Sequence, residues 1–303
     1  MDLHGYTRGA EVIKVAGDSP KIEMTSGIHY AQIKHARGFR QLRMSVIREA
    51  EARNRPAILY FPGGGFTSAD HDKYLQMRMA LAQAGFVVAA AEYRTVPDVF
   101  PAQAEDAKAA IRFLRAHAET FGIDPSRIGV MGDSAGGYMA QLAATVTGAE
   151  YERGDYLDQP SDVQAAVTLY GISDLSDIGA GLPREAAASH ASPAVTEALI
   201  VNGPAFGPSL GATVQDTPEK TRAASPIGHV GPHSPPFLIL HGSADRLVSP
   251  EQSAKLYRAL GSHGIAARYF LVEGAGHGDS PWYQPDIIAR VTRFFCETLR
   301  RGD

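Results

Sequence analysis

Apolar positions along the chain fall into short runs separated by longer stretches with a three-and-four period. Residues 28–34 and 41–48 alternate apolar and polar positions, as half-buried strands do, and Gly38 marks their connection. Residues 57–61, 86–91, 128–131, 165–170, 237–241 and 267–272 are short, nearly continuous apolar runs. Such runs fit strands buried on both faces. Between them, 73–84, 101–121, 138–146, 249–263 and 285–299 read as helices. In 101–121, Ala107, Ala110, Ile111, Leu114 and Ala118 form one face for packing on a sheet. Ser249-Pro250-Glu251-Gln252 predicts a serine N-cap, proline at the first helical position and Gln252 closing a capping box. Strands alternating with helices predict an α/β fold, a mostly parallel sheet with helices on both faces.

Two intervals fall outside this rhythm. Residues 1–27 show no clear period and read as an irregular N-terminal arm. Residues 171–236 separate two core strands by far more than a crossover requires. That interval holds two short helical stretches, 193–201 and 218–224, the second with Thr217 as its cap. It reads as a cap inserted over the C-terminal edge of the sheet, where α/β proteins bind ligands. The whole chain, 1–303, is expected to form a single domain around one sheet.

Composition narrows the classes of function. The 303 residues are 44% hydrophobic and 20% charged, as in a globular protein with a substantial core. A net charge of -4 gives no electrostatic reason to expect nucleic acid as a partner. No apolar run approaches the roughly 20 residues of a membrane span. The first residues lack the order of a signal peptide, so the expected location is cytoplasmic unless a leader has been trimmed. The one cysteine, Cys296, lies in the apolar pattern of the last helix and excludes an internal disulfide.

The candidate chemistry starts at Gly132-Asp133-Ser134-Ala135-Gly136, a G-x-S-x-G turn between a predicted strand and a predicted helix. That context presents a serine on a sharp, strained corner. A hydroxyl is a weak nucleophile at neutral pH and needs a base, an orienting acid and donors for an oxyanion. Asp245 follows one late strand and His277 the next, in the order Ser, Asp, His that this arrangement uses. His241 precedes Asp245 and is assigned a hydrogen-bonding or packing role. His263, at a helix end, meets the helix dipole. Asp133, next to the serine, must point away from it, and Asp279 follows His277 too closely to span its ring. The oxyanion donors are the N–H of Ala135 and those of Gly64 and Gly65 in the glycine run 63–65. That run lacks the Lys-Ser/Thr of a phosphate loop. Phe66, Trp282 and Tyr283 are candidate substrate-lining residues. Trp282 has an alternative role, packing the last helix on the sheet.

Several motifs now stand in order: P-G-G-G-F (62–66), E-Y-R (92–94), F-P-A-Q-A-E-D (100–106), F-G-I-D-P-S-R-I (121–128), G-D-S-A-G-G (132–137), A-S-P-I (224–227), P-P-F-L-I-L-H-G-S-A-D (235–245) and G-A-G-H-G (274–278). From about Gln41 onward the chain resembles the hormone-sensitive-lipase-like and bacterial feruloyl-esterase-like branches of the α/β-hydrolases. The resemblance implies an eight-stranded sheet, a Ser134–Asp245–His277 triad, and structural roles for Arg94 and Asp106. One position departs from the pattern. The family usually carries histidine before the three glycines, and here Pro62 stiffens the backbone but donates nothing. The expected activity is a serine carboxylesterase without cofactor or metal, acting on small-molecule esters, either short acyl esters or hydroxycinnamoyl and acetyl esters. An arylformamidase-type amide hydrolase and a non-catalytic ligand receptor on the same fold are the other readings. A homodimer is compatible with the sequence, which does not specify one.

Overall fold

The computed structural model describes residues 9–17, 19–35 and 37–300. Eight strands form one sheet: β1 (Ile22–His35), β2 (Gly38–Glu49), β3 (Arg55–Phe61), β4 (Val87–Ala91), β5 (Ile123–Asp133), β6 (Ala165–Leu169), β7 (Phe237–Gly242) and β8 (Ala267–Val272). Their order across the sheet is β1-β2-β4-β3-β5-β6-β7-β8. The β1–β2 and β2–β4 pairings are antiparallel, and every later pairing is parallel. Parallel strands end on one edge, so the loops after β3, β5, β7 and β8 converge there.

The helices are α1 (Leu75–Gln83), α2 (Ala102–Ala116), α3 (Ala118–Phe121), α4 (Ala135–Thr145), α5 (Arg184–Ser189), α6 (Thr196–Asn202), α7 (Pro218–Ala224), α8 (Pro250–Ser262) and α9 (Pro285–Leu299). Strand β3 shows why both sheet faces are apolar. Ile58 and Tyr60 join a cluster with Met77 and Leu81 of α1 and Val291 and Phe295 of α9. Ala57, Leu59 and Phe61 join the opposite cluster with Leu114 of α2, Leu142 of α4 and Leu256 of α8. Successive side chains point to opposite faces, and each face is covered by helices. No helix among the described residues is long and apolar enough to cross a membrane.

The structure departs from the sequence reading at several element ends. Residues 1–8 of the expected arm lie outside the described residues, and β1 begins at Ile22, inside 1–27. Its period is hard to read because β1 is an edge strand with mostly exposed positions and two register shifts against β2. The helix expected over 101–121 divides into α2 and α3 at His117. Lys73 stands outside α1, which starts after Tyr74 in a left-handed conformation at φ 59°. Thr217 makes no side-chain cap for α7; its hydroxyl contacts Asn202 instead. Ser249 caps α8 by accepting the Glu251 N–H, but Gln252 does not close the box.

Gln252 reaches into the 171–236 interval. Its Oε1 accepts the N–H groups of Ser173 and Asp174 at 3.0 and 2.8 Å, and its Nε2 donates to the Asp177 carbonyl. Lys255 adds ion pairs to Asp174 and Asp177. At the other end of the interval, the Tyr138 hydroxyl donates to the Ala224 carbonyl and Ile227 N–H to that of Ser173. Leu175, Ile178, Ile200, Val201 and Val214 belong to the same core cluster as α2 and α4.

Asp106 and Arg94 hold the approach to α2. Arg94 Nε donates to Asp106 at 2.9 Å, its backbone N–H to the same carboxylate at 2.7 Å, and Nη2 to Glu105 at 2.8 Å. Asp106 is fully buried. Removing the Asp106 carboxylate leaves Arg94 with Glu105 as its remaining charged partner and takes the acceptor from its backbone N–H. Asp106→Ala is therefore expected to lose about 3–5 kcal/mol of stability, measured as a fall in the urea midpoint at unchanged slope.

Candidate active site

Strand β5 enters α4 through a corner whose geometry the glycines permit. Ser134 sits there at φ 55° and ψ -122°, a region that side chains other than glycine avoid. Its N–H donates to the Leu169 carbonyl at 2.9 Å, and its carbonyl accepts the Tyr138 N–H at 3.0 Å. A Cβ on Gly132 would overlap the Gly136 carbonyl, and one on Gly136 would overlap the Phe61 carbonyl and Pro62. The corner is thus wedged between β3 and α4, with the serine at the C-terminal edge of the sheet.

The loops after β7 and β8 bring two further groups to this serine. His277 Nε2 lies 2.8 Å from Ser134 Oγ, and His277 Nδ1 lies 2.7 Å from Asp245 Oδ2. An acidic partner on Nδ1 requires a proton there. Nε2 is then left as the acceptor facing the hydroxyl. The second carboxylate oxygen, Oδ1, accepts the N–H groups of Leu247 and Val248 at 2.9 and 3.0 Å. Burial pushes the Asp245 carboxyl upward. Hydrogen bonds from His241 and His277, the charge of His277 and the Val248 N–H outweigh it and hold the group well below the ordinary carboxylate range.

His241, set aside as the base by chain order, lies fully buried behind Asp245. Its Nε2 is 2.9 Å from the Val248 carbonyl and 3.3 Å from Asp245 Oδ2, and its Nδ1 is 2.7 Å from Ser253 Oγ. The carbonyl requires Nε2 to carry the hydrogen, which Asp245 then shares. Asp279 accepts the Gly276 N–H at 2.8 Å and steadies the loop before His277.

The glycine run leaves β3 beside the serine corner. Among the described residues, no acceptor takes the N–H of Gly64, Gly65 or Ala135, so all three remain available to an anion. Asp133, which points away from the serine as its position dictates, accepts the Gly63 N–H at 2.9 Å and the Tyr60 hydroxyl at 2.6 Å. Lys73 Nζ lies 2.7 Å from its other oxygen.

The expected lining residues lie differently. Phe66 is buried, its ring edge-on to Tyr138 with centroids 5.1 Å apart. Trp282 is fully buried. Its indole N–H donates to the Gly276 carbonyl at 2.9 Å, and its ring lies 4.5 Å from that of Tyr170. These two pack beside the glycine run and the histidine loop rather than facing solvent. Only Tyr283 stays partly exposed, against Tyr74. Tyr170, whose ring meets the His277 ring at 4.8 Å, was missed. Its place just after β6, on the edge where the other loops converge, was the available signal.

The model of the family named BD-FAE matches residues 46–260. The chain belongs to this family of α/β-hydrolases. Among its relatives, the chain is similar to esterase LipC of Mycobacterium tuberculosis (strain ATCC 25618 / H37Rv), 31% identical over 74% of this chain and 53% of that protein. It spans about half the length of the first curated relatives it matches. A truncated carbohydrate esterase from gut microbiota superposes with a TM-score of 0.77 at 25% identity, over 94% of this chain and 99% of the other. The butyrate-bound esterase Est2 of Thermogutta terrifontis superposes with a TM-score of 0.67 at 26% identity, over 92% and 94% of the two chains. The BD-FAE match covers β3 to β7 and therefore the glycine run, Ser134 and Asp245, while His277 lies beyond it.

The lowered Asp245 pKa has a consequence for stability. A carboxyl whose folded pKa lies below its unfolded value stabilises the fold above the unfolded pKa, and this contribution fades as pH falls toward the folded one. Asp245→Asn is expected to lower Tm most near neutrality. The gap from wild type should narrow progressively below about pH 5, read by thermal melts across pH.

Proposed function

We propose that this BD-FAE protein is a serine carboxylic-ester hydrolase that works through an acyl-enzyme without a cofactor. The observation that carries the reading is the continuous hydrogen-bonded chain from Ser134 Oγ through His277 to Asp245, at 2.8 and 2.7 Å. His277 takes the hydroxyl proton as Ser134 Oγ attacks the ester carbonyl carbon. Asp245 holds the ring tautomer and stabilises the imidazolium that forms. The carbonyl oxygen becomes an anion facing the N–H groups of Gly64, Gly65 and Ala135. Collapse breaks the C–O bond, and His277 returns the proton to the departing alcohol. Water then attacks the acyl-serine with the same imidazole as base, releasing the acid and restoring the hydroxyl.

The substrates we propose are short acyl esters or acetyl and hydroxycinnamoyl esters of plant-derived carbohydrate. The likeness to a carbohydrate esterase and to a butyrate-bound esterase supports this class. The 171–236 interval is assigned as the cap that shapes the acyl side.

A panel of p-nitrophenyl acetate, butyrate and longer esters, methyl ferulate, acetylated xylan oligomers and N-formylkynurenine tests the reading. Ester turnover, with labelling of Ser134 by a fluorophosphonate, is expected. Ser134→Ala should lose about 10⁴- to 10⁶-fold in kcat. Asp245, held below the ordinary carboxylate range, should stay ionised through the acidic arm of the activity profile, so its own protonation should add no step there. Preferential turnover of N-formylkynurenine would replace the ester assignment with an amidase, and an unlabelled Ser134 would remove the mechanism.

A further inference from the structure

The oxyanion loop lacks the histidine its family usually places before the glycines, yet each peptide around Gly63 is pinned. A trans peptide is planar, so its C=O and N–H point in opposite directions. In the Pro62–Gly63 peptide, the Tyr93 hydroxyl donates to the Pro62 carbonyl at 2.8 Å while the Gly63 N–H donates to Asp133 Oδ1 at 2.9 Å. In the next peptide, Lys73 Nζ lies 3.5 Å from the Gly63 carbonyl and 2.7 Å from Asp133 Oδ2. An ammonium on the Gly63 carbonyl side leaves the Gly64 N–H aimed the other way and polarises it as a donor. A Cβ at Gly63 would come within 2.6 Å of the Asp133 carbonyl and carboxylate oxygens, so the close approach depends on glycine.

We propose that Lys73 and Asp133 are positioning residues that orient the Gly63–Gly64 peptide toward the developing oxyanion, in place of the absent histidine. This rests on the ester-hydrolase reading above. Asp133 is almost wholly buried, whereas the Lys73 side chain is 36% exposed and held by Asp133 in one place. Tyr170, 3.5 Å from Asp133 Oδ2, touches the His277 ring from the same side, so one carboxylate borders both the donors and the base.

Lys73→Met tests the pair, with Asp133→Asn as the second variant. Asn can still accept the Gly63 N–H, but its amide hydrogens face the ammonium and break the lysine arm, while the Tyr170 hydroxyl can turn to accept from the amide. Each single variant is expected to lose about 10- to 100-fold in kcat with KM little changed, because a misaimed donor is missed chiefly in the transition state. The double variant should be no worse than the more damaged single, since both act through one peptide. Lys73→Arg, which keeps the charge, should recover part of the loss. Unchanged kcat in both singles, additive losses in the double, or a rise in KM alone overturns the proposal. Crystal structures of the two variants read the peptide without any substrate. A Gly63–Gly64 peptide rotated or disordered is expected, and one unmoved in both overturns the proposal even if wild type proved inactive on esters. An inactive wild type, by contrast, removes the ester reading alone.

Discussion

The backbone of Ser134 is held where a serine would not rest by itself, and the neighbouring structure is arranged around that fact. Its φ of 55° is maintained by the Leu169 carbonyl on one side and the first turn of α4 on the other. The corner exists only because Gly132 and Gly136 let α4 and β3 approach to contact. Strain of this kind, of order 1–3 kcal/mol, persists only when the surroundings over-determine it. Here β3, β5, β6 and α4 do so together, and all four lie within two buried clusters that run across the sheet. The parallel pairing then delivers Asp245 and His277 to the same edge.

Two buried carboxylates flank this corner, and they are satisfied differently. Asp245 receives hydrogen bonds from two imidazoles and two backbone N–H groups, from the end of β7 and the loops after β7 and β8. Asp133 receives the Tyr60 hydroxyl, a backbone N–H and an ammonium from the side of β3 and α1, and a longer contact from the Tyr170 hydroxyl after β6. Each of them ties a functional loop to the sheet. The first holds His277; the second holds Gly63.

Much of this was legible in the sequence because it follows from pattern and order. The six apolar runs become β3 to β8, five of them buried as expected, whereas β8 is an edge strand with no buried residue, and the placement of Ser134, Asp245 and His277 after strand ends brings them within hydrogen-bonding reach. What was not legible depends on contacts between residues remote in sequence. Lys73 reads as the start of a helix, and nothing local shows that it folds back onto Asp133. Gln252 reads as half of a capping box, yet a buried amide facing three backbone groups across the chain binds there instead. Trp282 and Phe66 read as pocket residues because aromatic side chains near catalytic loops serve either purpose, and only burial distinguishes them. The edge strand β1 was shortened because exposure erases the alternation by which strands are recognised.

The bolts at the two ends of the 171–236 interval have one more implication. Gln252 and Lys255 fasten its beginning to α8, Tyr138 fastens its end to α4, and Ile227 ties that end back to Ser173 at the beginning. Between them Ile200, Val201 and Val214 are anchored in the core, and the tip around Phe206 and Leu210 stands almost fully exposed. Exchanges confined to that tip touch none of the hydrogen bonds that hold the Ser134 corner. Descendants of this chain could therefore vary the tip while inheriting the corner unchanged, a separation of variable and constant parts.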